Sequence, residues 1–353
     1  MDFDGLYARH AAQLEDFWGR RENQLTVTRD LLVFGHPVRL ASNQAGALAA
    51  ADFSLPLYSI TPPVEAPPLL IQFVVRPAPL PLDPLPDNLF SHIQYAGQGD
   101  WLALQLGAWG HCQVDLAAGR ALAVLSPELA AQPEVVSRCL LNTLLNNLLT
   151  ARGLSMLHAT SLAQGDRVLL LIAPHGTGKS TSALRLALAG YPLMSDSQVY
   201  ISTGPRGLLL TGFPVGRVKL RRDMLPDFPD LRALLTPEEV RGETKFTLEL
   251  RRLDPALVRD TAVAPASAEL CLLTRHAGAA SSLRPATRAE VLDVAMLNSL
   301  HYDRAEAWRA NVAGIEQLVD LARCHHLAVG TDAHSLLETV GGLWAGPPAY
   351  AVE

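Results

Sequence analysis

The chain contains 353 residues, of which 49% are hydrophobic and 18% are charged, and its formal net charge is -6. This composition predicts a folded, soluble protein with one large core or two ordinary ones. The net negative charge argues against nucleic acid and anionic membrane surfaces as general partners. The first residues show no signal-peptide pattern, and no apolar run has the length of a membrane-spanning helix, so we expect a cytoplasmic location.

Residues 1–130 are predicted to form a β-rich, proline-rich N-terminal region. Ten of the 25 prolines lie between Pro56 and Pro86, so this segment cannot be helical. Within it, the sequence LLIQFVV (residues 69–75) predicts a strand, which the neighbouring prolines place at a sheet edge. Residues 101–125 predict further strands joined by glycine-containing turns. A binding segment for a proline-recognising domain is the alternative, but the interleaved apolar residues favour packed extended structure.

The four cysteines are widely separated, and none forms a CxxC pair. This spacing predicts reduced, mostly buried thiols and neither a disulfide framework nor a zinc ribbon. His325 and His326 follow Cys324 directly, but adjacent side chains on a strand point to opposite faces, which disfavours a metal site there. The four are Cys112, Cys139, Cys271 and Cys324.

Residues 131–353 are predicted to form an α/β domain. Leucines and valines recur at four-residue spacing over residues 133–153, which predicts an amphipathic helix that ends at Gly153. The elements predicted after it are hairpin strands over 155–163 and 167–173, a helix over 179–190 and a strand over 191–201.

Between the hairpin and the next helix, the sequence APHGTGKS fits the phosphate-loop pattern except that alanine stands in place of the first glycine. Gly176 and Gly178 would let the backbone turn tightly enough to point N–H groups at nucleotide phosphates. Lys179 would bring a positive charge to the β and γ phosphates, and the Ser180 hydroxyl would ligate Mg²⁺. The alternative is a chance match in a glycine-rich turn. The predicted nucleotide-binding residues are Pro174, His175, Gly176, Thr177, Gly178, Lys179, Ser180 and Thr181.

Asp196 is the candidate for metal binding or proton transfer. It lies 17 residues (196 minus 179) beyond Lys179, where the next strand would return beside the loop. A carboxylate there can bind Mg²⁺ through water, or accept a proton from an attacking hydroxyl. The alternative is an aspartate that caps a turn with its serine neighbours. His158, by pattern alone, is more typical of a half-buried structural histidine.

The order of His158, the phosphate loop, Gly190 and Asp196 resembles the catalytic core of HPr kinase/phosphorylase and, more closely, the HPr-kinase-related proteins of bacterial gene clusters. The resemblance implies a P-loop kinase core related to phosphoenolpyruvate carboxykinase. It also implies transfer of phosphate from ATP, with Mg²⁺, to a serine of a small protein or peptide. By the same resemblance, His158 positions and polarises the reacting phosphate, Asp196 is the general base, and the chain assembles into a homo-oligomer.

Ser197 stands where that family usually has a second acid, and the signature of the reverse, phosphorylase reaction is not found in the sequence. Loss of one carboxylate would weaken metal binding. Two alternatives therefore stay open beside a serine kinase. One is a kinase for a small-molecule hydroxyl, and the other is a catalytically weakened nucleotide-binding regulatory protein.

A stripe of basic residues is the candidate contact for an acceptor or for phosphates. Arg217, Lys219 and Arg221 occupy alternate positions, so on a strand they share one face while the residues between them turn inward. The stripe could receive nucleotide phosphates or an acidic peptide. A solvated edge with scattered counter-charges is an equal alternative. Lys245 is a second lysine that could approach the phosphates.

Overall fold

A computed structural model describes residues 25–54, 67–77, 82–86, 89–174, 176–204, 207–240, 243–299 and 304–345. It shows a mixed α/β protein with several sheets. The chain divides into two compact units, Met1–Arg152 with Asp303–Ala305, and Gly153–Tyr302 with Glu306–Glu353. The division falls after the amphipathic helix, whereas the sequence placed a boundary at residues 130 and 131, before it.

The first unit contains a seven-stranded sheet with the order β1-β2-β3-β7-β6-β5-β4. The β2, β3 and β7 strands are parallel neighbours, and the other pairs are antiparallel. The strands are β1 Val27–Val33, β2 His36–Ser42, β3 Leu69–Val75, β4 Ile93–Gln98, β5 Trp101–Leu106, β6 Gly110–Asp115 and β7 Arg120–Leu125. The strands predicted over residues 101–125 are confirmed and are β5, β6 and β7.

The predicted strand over residues 69–75 is confirmed, but its predicted edge position is wrong. β3 lies between β2 and β7, and six of its seven residues are buried. The prolines flank this strand and none interrupts it, so every residue of β3 keeps a backbone N–H for the ladder.

A helical run over residues 133–151 closes the first unit, as the leucine spacing predicts. The run contains one π-helical turn, Ser137–Leu141, between two α-helical segments. Gly153 follows it with φ +90°, a conformation that only glycine adopts without strain. The helices of this unit are α1 Ala45–Leu48, α2 Ala50–Ser54, α3 Pro127–Ala130, α4 Pro133–Val136 and α5 Asn142–Ala151.

The second unit is built on a six-stranded sheet with the order β11-β9-β10-β17-β19-β18. The β10, β17 and β19 strands are parallel, and the remaining pairs are antiparallel. The strands are β9 Thr160–Gln164, β10 Arg167–Ile172, β11 Leu193–Ser195, β17 Ser267–Arg275, β18 Ser282–Pro285 and β19 Ala322–Val329.

Two apolar cores cover the faces of this sheet, and the side chains of β10 alternate between them. Leu169 and Leu171 pack in the core that holds helices Lys179–Leu188 and Ala333–Ala345, and Leu170 packs in the core that holds helices Arg288–Leu297 and Ala305–Leu321. Burial on both faces explains why β10 is a continuous apolar run. The helices of this unit are α6 Lys179–Leu188, α7 Leu250–Leu253, α8 Arg288–Leu297, α9 Ala305–Leu321 and α10 Ala333–Ala345, the first residue of α9 being grouped with the first unit.

Two three-stranded sheets complete the second unit, with the orders β13-β12-β8 and β14-β16-β15. Their strands are β8 Ser155–Leu157, β12 Gln198–Gly204, β13 Gly207–Phe213, β14 Arg217–Arg221, β15 Thr236–Val240 and β16 Glu243–Glu249.

The strands predicted over residues 155–163 and 191–201 are each divided in two by these sheets. The chain leaves the β13-β12-β8 sheet after Leu157 and enters the six-stranded sheet at Thr160. It returns at residues 196 and 197, between β11 and β12. The hairpin itself is confirmed for β9 and β10, with Gly165 at φ +65° in its turn.

Three of the cysteines are buried and the fourth, Cys324, is partly buried, and none is in a disulfide. Burial raises the pKa of the Cys139 thiol to about 12, so this side chain stays protonated at neutral pH. None of the described helices is both long enough and apolar enough to cross a membrane.

Candidate functional site

The candidate site lies at one edge of the six-stranded sheet, where several chain segments with polar residues meet. β9 is antiparallel to both β10 and β11, so β10 and β11 run in the same direction. β17 is parallel to β10, and the three strands therefore have their carboxyl ends at the same edge. In open α/β sheets this edge is the usual position for ligands.

The loop from Ala173 to Gly178 leaves β10 at this edge and starts α6. Gly176 and Gly178 have φ values of +79° and +102°, in the left-handed region that favours glycine. Gly178 is the N-cap of α6, and its carbonyl accepts a hydrogen bond from Ser182 N at 2.9 Å. Gly178 has no side chain to cap the first N–H groups of the helix, and the N-terminus of a helix is a favourable position for an anion. The predicted phosphate contact His175 lies outside the described residues.

Lys179 is the first residue of α6, and its side chain folds back over the loop. Its ammonium group donates hydrogen bonds to the carbonyls of Ala173 and Pro174. The residue is buried, and this desolvation lowers the pKa of the ammonium group, while the nearby Asp196 carboxylate acts to raise it. The lysine charge therefore lies inside the loop that was predicted to bind phosphate.

Asp196 follows β11 directly, and its side chain points to the start of α6. The Thr160 hydroxyl donates to Asp196 Oδ1 at 2.8 Å, and the Lys219 backbone N–H donates to Oδ2 at 3.5 Å. The Ser180 hydroxyl also bonds the carboxylate. The structure thus brings together Lys179, Ser180 and Asp196, three residues that the sequence predicted to act as a group.

The turn after β11 does not use the Asp196 carboxylate as its cap. The Ser195 hydroxyl accepts the backbone N–H groups of Ser197 and Gln198, at 3.0 and 3.3 Å, and donates to the carbonyl of Phe213 at 2.9 Å. Ser195 is fully buried, and its hydroxyl caps the turn. The alternative in which Asp196 caps this turn is therefore wrong.

Burial raises the pKa of Asp196 from 3.8 to about 6. The hydrogen bonds from Ser180, Thr160 and the Lys219 backbone act in the opposite direction, as does the Lys179 charge, because each favours the ionised carboxylate. Desolvation is the larger effect because only 8% of the residue is exposed. A carboxylate with this pKa is mostly ionised at neutral pH and is a stronger base than an exposed aspartate.

His158 lies between β8 and β9, two residues before Thr160, and so reaches the same edge of the sheet. The residue is partly buried, and its backbone N–H donates to the carbonyl of Asn298 at 2.6 Å. The role that the family resemblance implies for the imidazole stays a prediction.

The basic stripe on β14 is paired with carboxylates of its own sheet. Val218 and Leu220 are buried, as the alternation predicts. The nearest ion pairs are Arg217 with Glu249 at 2.5 Å, Lys219 with Glu238 at 2.7 Å, Arg221 with Glu243 at 3.1 Å and Lys245 with Glu243 at 3.9 Å. The counter-charge alternative therefore describes this face. Lys219 also contacts the site, through its backbone N–H.

Three residues near the site were missed by the sequence reasoning. Thr160 has no motif around it and is brought to Asp196 by the pairing of β9 with β11. Glu238 is buried between Lys219 and the Thr247 hydroxyl, 2.5 Å away. Arg275 ends β17 and packs against Gly178. Position at the carboxyl end of an apolar strand was the one sequence signal that could have pointed to Arg275.

The residues present fit a magnesium ion and a nucleotide triphosphate. Mg²⁺ prefers oxygen ligands, and the Ser180 hydroxyl and Asp196 carboxylate already contact each other at the loop. The glycine conformations and the position of the loop at the N-terminus of α6 suit a chain of phosphates. Among the described residues, no group of three or more His, Cys, Asp or Glu side chains could hold a metal ion. A magnesium ion here would therefore need water and phosphate oxygens as its other ligands.

Comparisons with known proteins add a structural similarity only. No protein-family model matches the chain, and no curated protein matches it. Among solved structures, the chain is similar to the structure of the Hpr(Ser) kinase/phosphatase from Coxiella burnetii, with 9% sequence identity and a TM-score of 0.26. The match covers 54% of this chain and 97% of that chain. The residues of the site itself are therefore the ground for a proposal on function.

Proposed function

We propose that the chain is a phosphotransferase that uses ATP and Mg²⁺ to phosphorylate a hydroxyl group. The observation that carries the proposal is the contact of a buried carboxylate, Asp196, with the Ser180 hydroxyl at the start of α6, where the carboxylate also interacts electrostatically with the buried Lys179 ammonium group. A loop that only turned a strand into a helix would not need a buried lysine and a buried aspartate at its end.

In the proposed reaction, the acceptor hydroxyl attacks the γ phosphorus and the bond from this phosphorus to the β-γ bridging oxygen breaks. The hydroxyl proton passes to the Asp196 carboxylate, and ADP leaves with the electron pair of the broken bond. Lys179 and the N–H groups of α6 hold the phosphates in place and stabilise their charge. Ser180 and Asp196 would hold Mg²⁺, which would supply further neutralisation of phosphate charge. His158 is assigned to positioning of the reacting phosphate by the family resemblance.

The acceptor is proposed to be a serine of a small protein or peptide, as the resemblance implies. A small-molecule hydroxyl uses the same chemistry, since the carboxylate receives a proton from either acceptor. The pairing of the β14 stripe with carboxylates removes one argument for a strongly acidic peptide, because its charges are already neutralised.

The test is transfer of label from γ-labelled ATP, with Mg²⁺, into a size-fractionated lysate of the source organism. Wild type is compared with Asp196→Asn and with Asp293→Asn, which removes an exposed carboxylate from α8. Label in a small protein or peptide with wild type and the control, but not with Asp196→Asn, is the expected result. Label in the metabolite fraction would instead identify a small-molecule kinase. Equal labelling by all three proteins would contradict the role of Asp196.

A second candidate, a nucleotide-binding regulatory protein with weak transfer, is favoured by the position of Ser197. The Ser197 backbone N–H donates to the Ser195 hydroxyl. Ser197 carries no carboxylate, so Asp196 contacts Ser180 without a second acid from the next residue. A measurement separates the two candidates: this second function predicts that ATP with Mg²⁺ raises the Tm of the protein while no γ-phosphate leaves over several hours.

A further inference from the structure

Arg275 lies beside the phosphate-binding loop, although no motif marks it in the sequence. β17 is the parallel neighbour of β10, and Leu272 pairs with Ile172, the last residue of β10. β17 continues for three residues beyond this pair and ends at Arg275. The arginine therefore projects from the same edge of the sheet as the loop and runs alongside it.

The side chain of Arg275 packs across the backbone of Gly178. A Cβ atom added to Gly178 would lie 3.3 Å from the Arg275 Cδ atom and 3.6 Å from its Cγ and Nε atoms. The methylene groups of Arg275 thus cover Gly178, the last residue of the loop, and its guanidinium group lies near the start of α6. This is the N-terminus of α6, where the backbone N–H groups that lack an intrahelical partner favour an anion.

The charge of Arg275 is not neutralised by any residue that the structure describes. It forms neither an ion pair nor a hydrogen bond within the described part of the chain, in contrast to Arg217 and Arg221 on β14 and to Arg185 on α6. Arg275 is also exposed. A guanidinium group stays charged at all relevant pH values and presents donors that match phosphate oxygens. An exposed, uncompensated arginine over a phosphate-binding loop is therefore suited to bind an anionic group.

The order of the strands decides which part of the nucleotide this arginine meets. Asp196 follows β11 and Arg275 is the last residue of β17, so they lie on opposite sides of β10 and its loop. Phosphoryl transfer needs the attacking and leaving oxygens roughly in line across the phosphorus atom. With the acceptor hydroxyl at Asp196, the leaving diphosphate lies on the other side of the loop, toward Arg275.

We propose that Arg275 binds the diphosphate of the nucleotide, the group that leaves when the terminal phosphoryl is transferred. This inference rests on the proposed phosphotransferase function. In a loose transition state, negative charge grows on the leaving diphosphate as its bond to the γ phosphorus breaks. Arg275 stabilises that charge, so it contributes to the binding of both ADP and ATP and to the rate of transfer.

The test is titration calorimetry of ADP and of the β,γ-imido analogue of ATP, each with Mg²⁺, against four proteins. Arg275→Met removes the charge and keeps methylene groups over Gly178, and Arg275→Lys restores a charge without the fork of donors. Arg284→Ala is the matched control, because it removes an exposed arginine from β18 of the same sheet. Charge-assisted hydrogen bonds of this type predict that Arg275→Met raises the Kd for ADP and for the analogue by about 10- to 100-fold. Arg275→Lys is expected to lie between Arg275→Met and wild type.

The outcomes distinguish failure of the proposed phosphotransferase function from failure of the Arg275 inference alone. If wild type binds neither nucleotide, the phosphotransferase function fails and the Arg275 inference fails with it. If wild type and Arg284→Ala bind both and Arg275→Met binds them equally well, the Arg275 inference alone is overturned. A loss confined to the analogue also overturns it, because Arg275 would then contact the γ-phosphate. A melting curve of Arg275→Met without nucleotide that matches wild type ensures that a weaker affinity reflects the missing charge.

Discussion

The raised pKa of Asp196 predicts that ionisation of this residue lowers the free energy of unfolding of the wild-type protein at neutral pH. It also predicts that Asp196→Asn is more stable than wild type at this pH. The folded chain binds the carboxyl proton of Asp196 more tightly than the unfolded chain does, so the free energy of unfolding falls as the pH rises from about 4 to about 6. Below about pH 4, Asp196 is protonated in both the folded and the unfolded chain, and stability is not reduced. Above about pH 6, Asp196 is ionised in both, and the reduction in stability is complete. The shift from 3.8 to about 6 corresponds to about 3 kcal/mol of unfolding free energy.

Asparagine cannot ionise, so Asp196→Asn avoids this cost while its side-chain carbonyl can still accept the Thr160 hydroxyl. Its amide group faces the Lys219 N–H, which offsets part of the gain, so we expect about 1–3 kcal/mol at pH 7.5. For a unit of about 200 residues, this raises the Tm by roughly 2–4 °C for each kcal/mol. The difference is expected to vanish or reverse by pH 4.

Scanning calorimetry of wild type, Asp196→Asn and Asp293→Asn between pH 4 and pH 8 measures the effect. Asp293 is exposed on α8, so its replacement controls for the loss of one negative charge. A Tm difference between Asp196→Asn and wild type that stays constant across this range would refute the reasoning, because a hydrogen-bond effect alone has no pH dependence of this form. An Asp196→Asn protein that is less stable than wild type at pH 8 would refute it as well.

Three further results are expected. The rate of phosphoryl transfer should rise with pH as the Asp196 carboxyl group ionises and then level off, since the base must be deprotonated; a rate that falls as the pH rises from 5 to 8 would contradict this. Lys179→Ala should abolish the rise in Tm caused by ATP and Mg²⁺, and a thermal shift of undiminished size would remove the loop from the mechanism. Gly178→Ala should weaken nucleotide binding, because its Cβ would press on Arg275 at a strained φ of +102°. Gly190→Ala is its matched control, with φ +92° and no atom within 4 Å of the added Cβ; equal effects of the two glycine variants on nucleotide affinity would show that backbone strain alone is responsible.

The local parts of the site could be predicted from the sequence, and the parts made by strand pairing could not. The glycines of the loop, Lys179 and Ser180 belong to one short pattern whose chemistry is set by spacing. Asp196 was also predicted, because an acid after an apolar strand often reaches the same edge as the loop. Thr160 and Arg275 join the site only through the order of the strands, which a single sequence does not contain.

The errors in the fold have a similar origin. Side chains on a strand alternate with a period of two whether the strand stays in one sheet or passes into another. The breaks after Leu157 and after Ser195 therefore left no trace in the hydrophobic pattern. β3 was placed at an edge because prolines surround it, whereas the seven residues of the strand itself contain none. In the same way, alternation predicted which side of β14 is buried but not that carboxylates of neighbouring strands neutralise its basic residues.

The two crossings between sheets have a consequence for the mutations that the site can accept. Thr160 begins the segment after one crossing, Asp196 lies in the other, and a hydrogen bond joins them. Insertion or deletion of one residue at either crossing would turn each following side chain to the opposite face until the register recovered. The hydroxyl and the carboxylate would then no longer meet, even though every residue type was kept. We therefore expect this part of the chain to accept substitutions but not insertions or deletions. Insertions should be tolerated only in turns away from the carboxyl edge of the sheet, such as the β9-β10 hairpin.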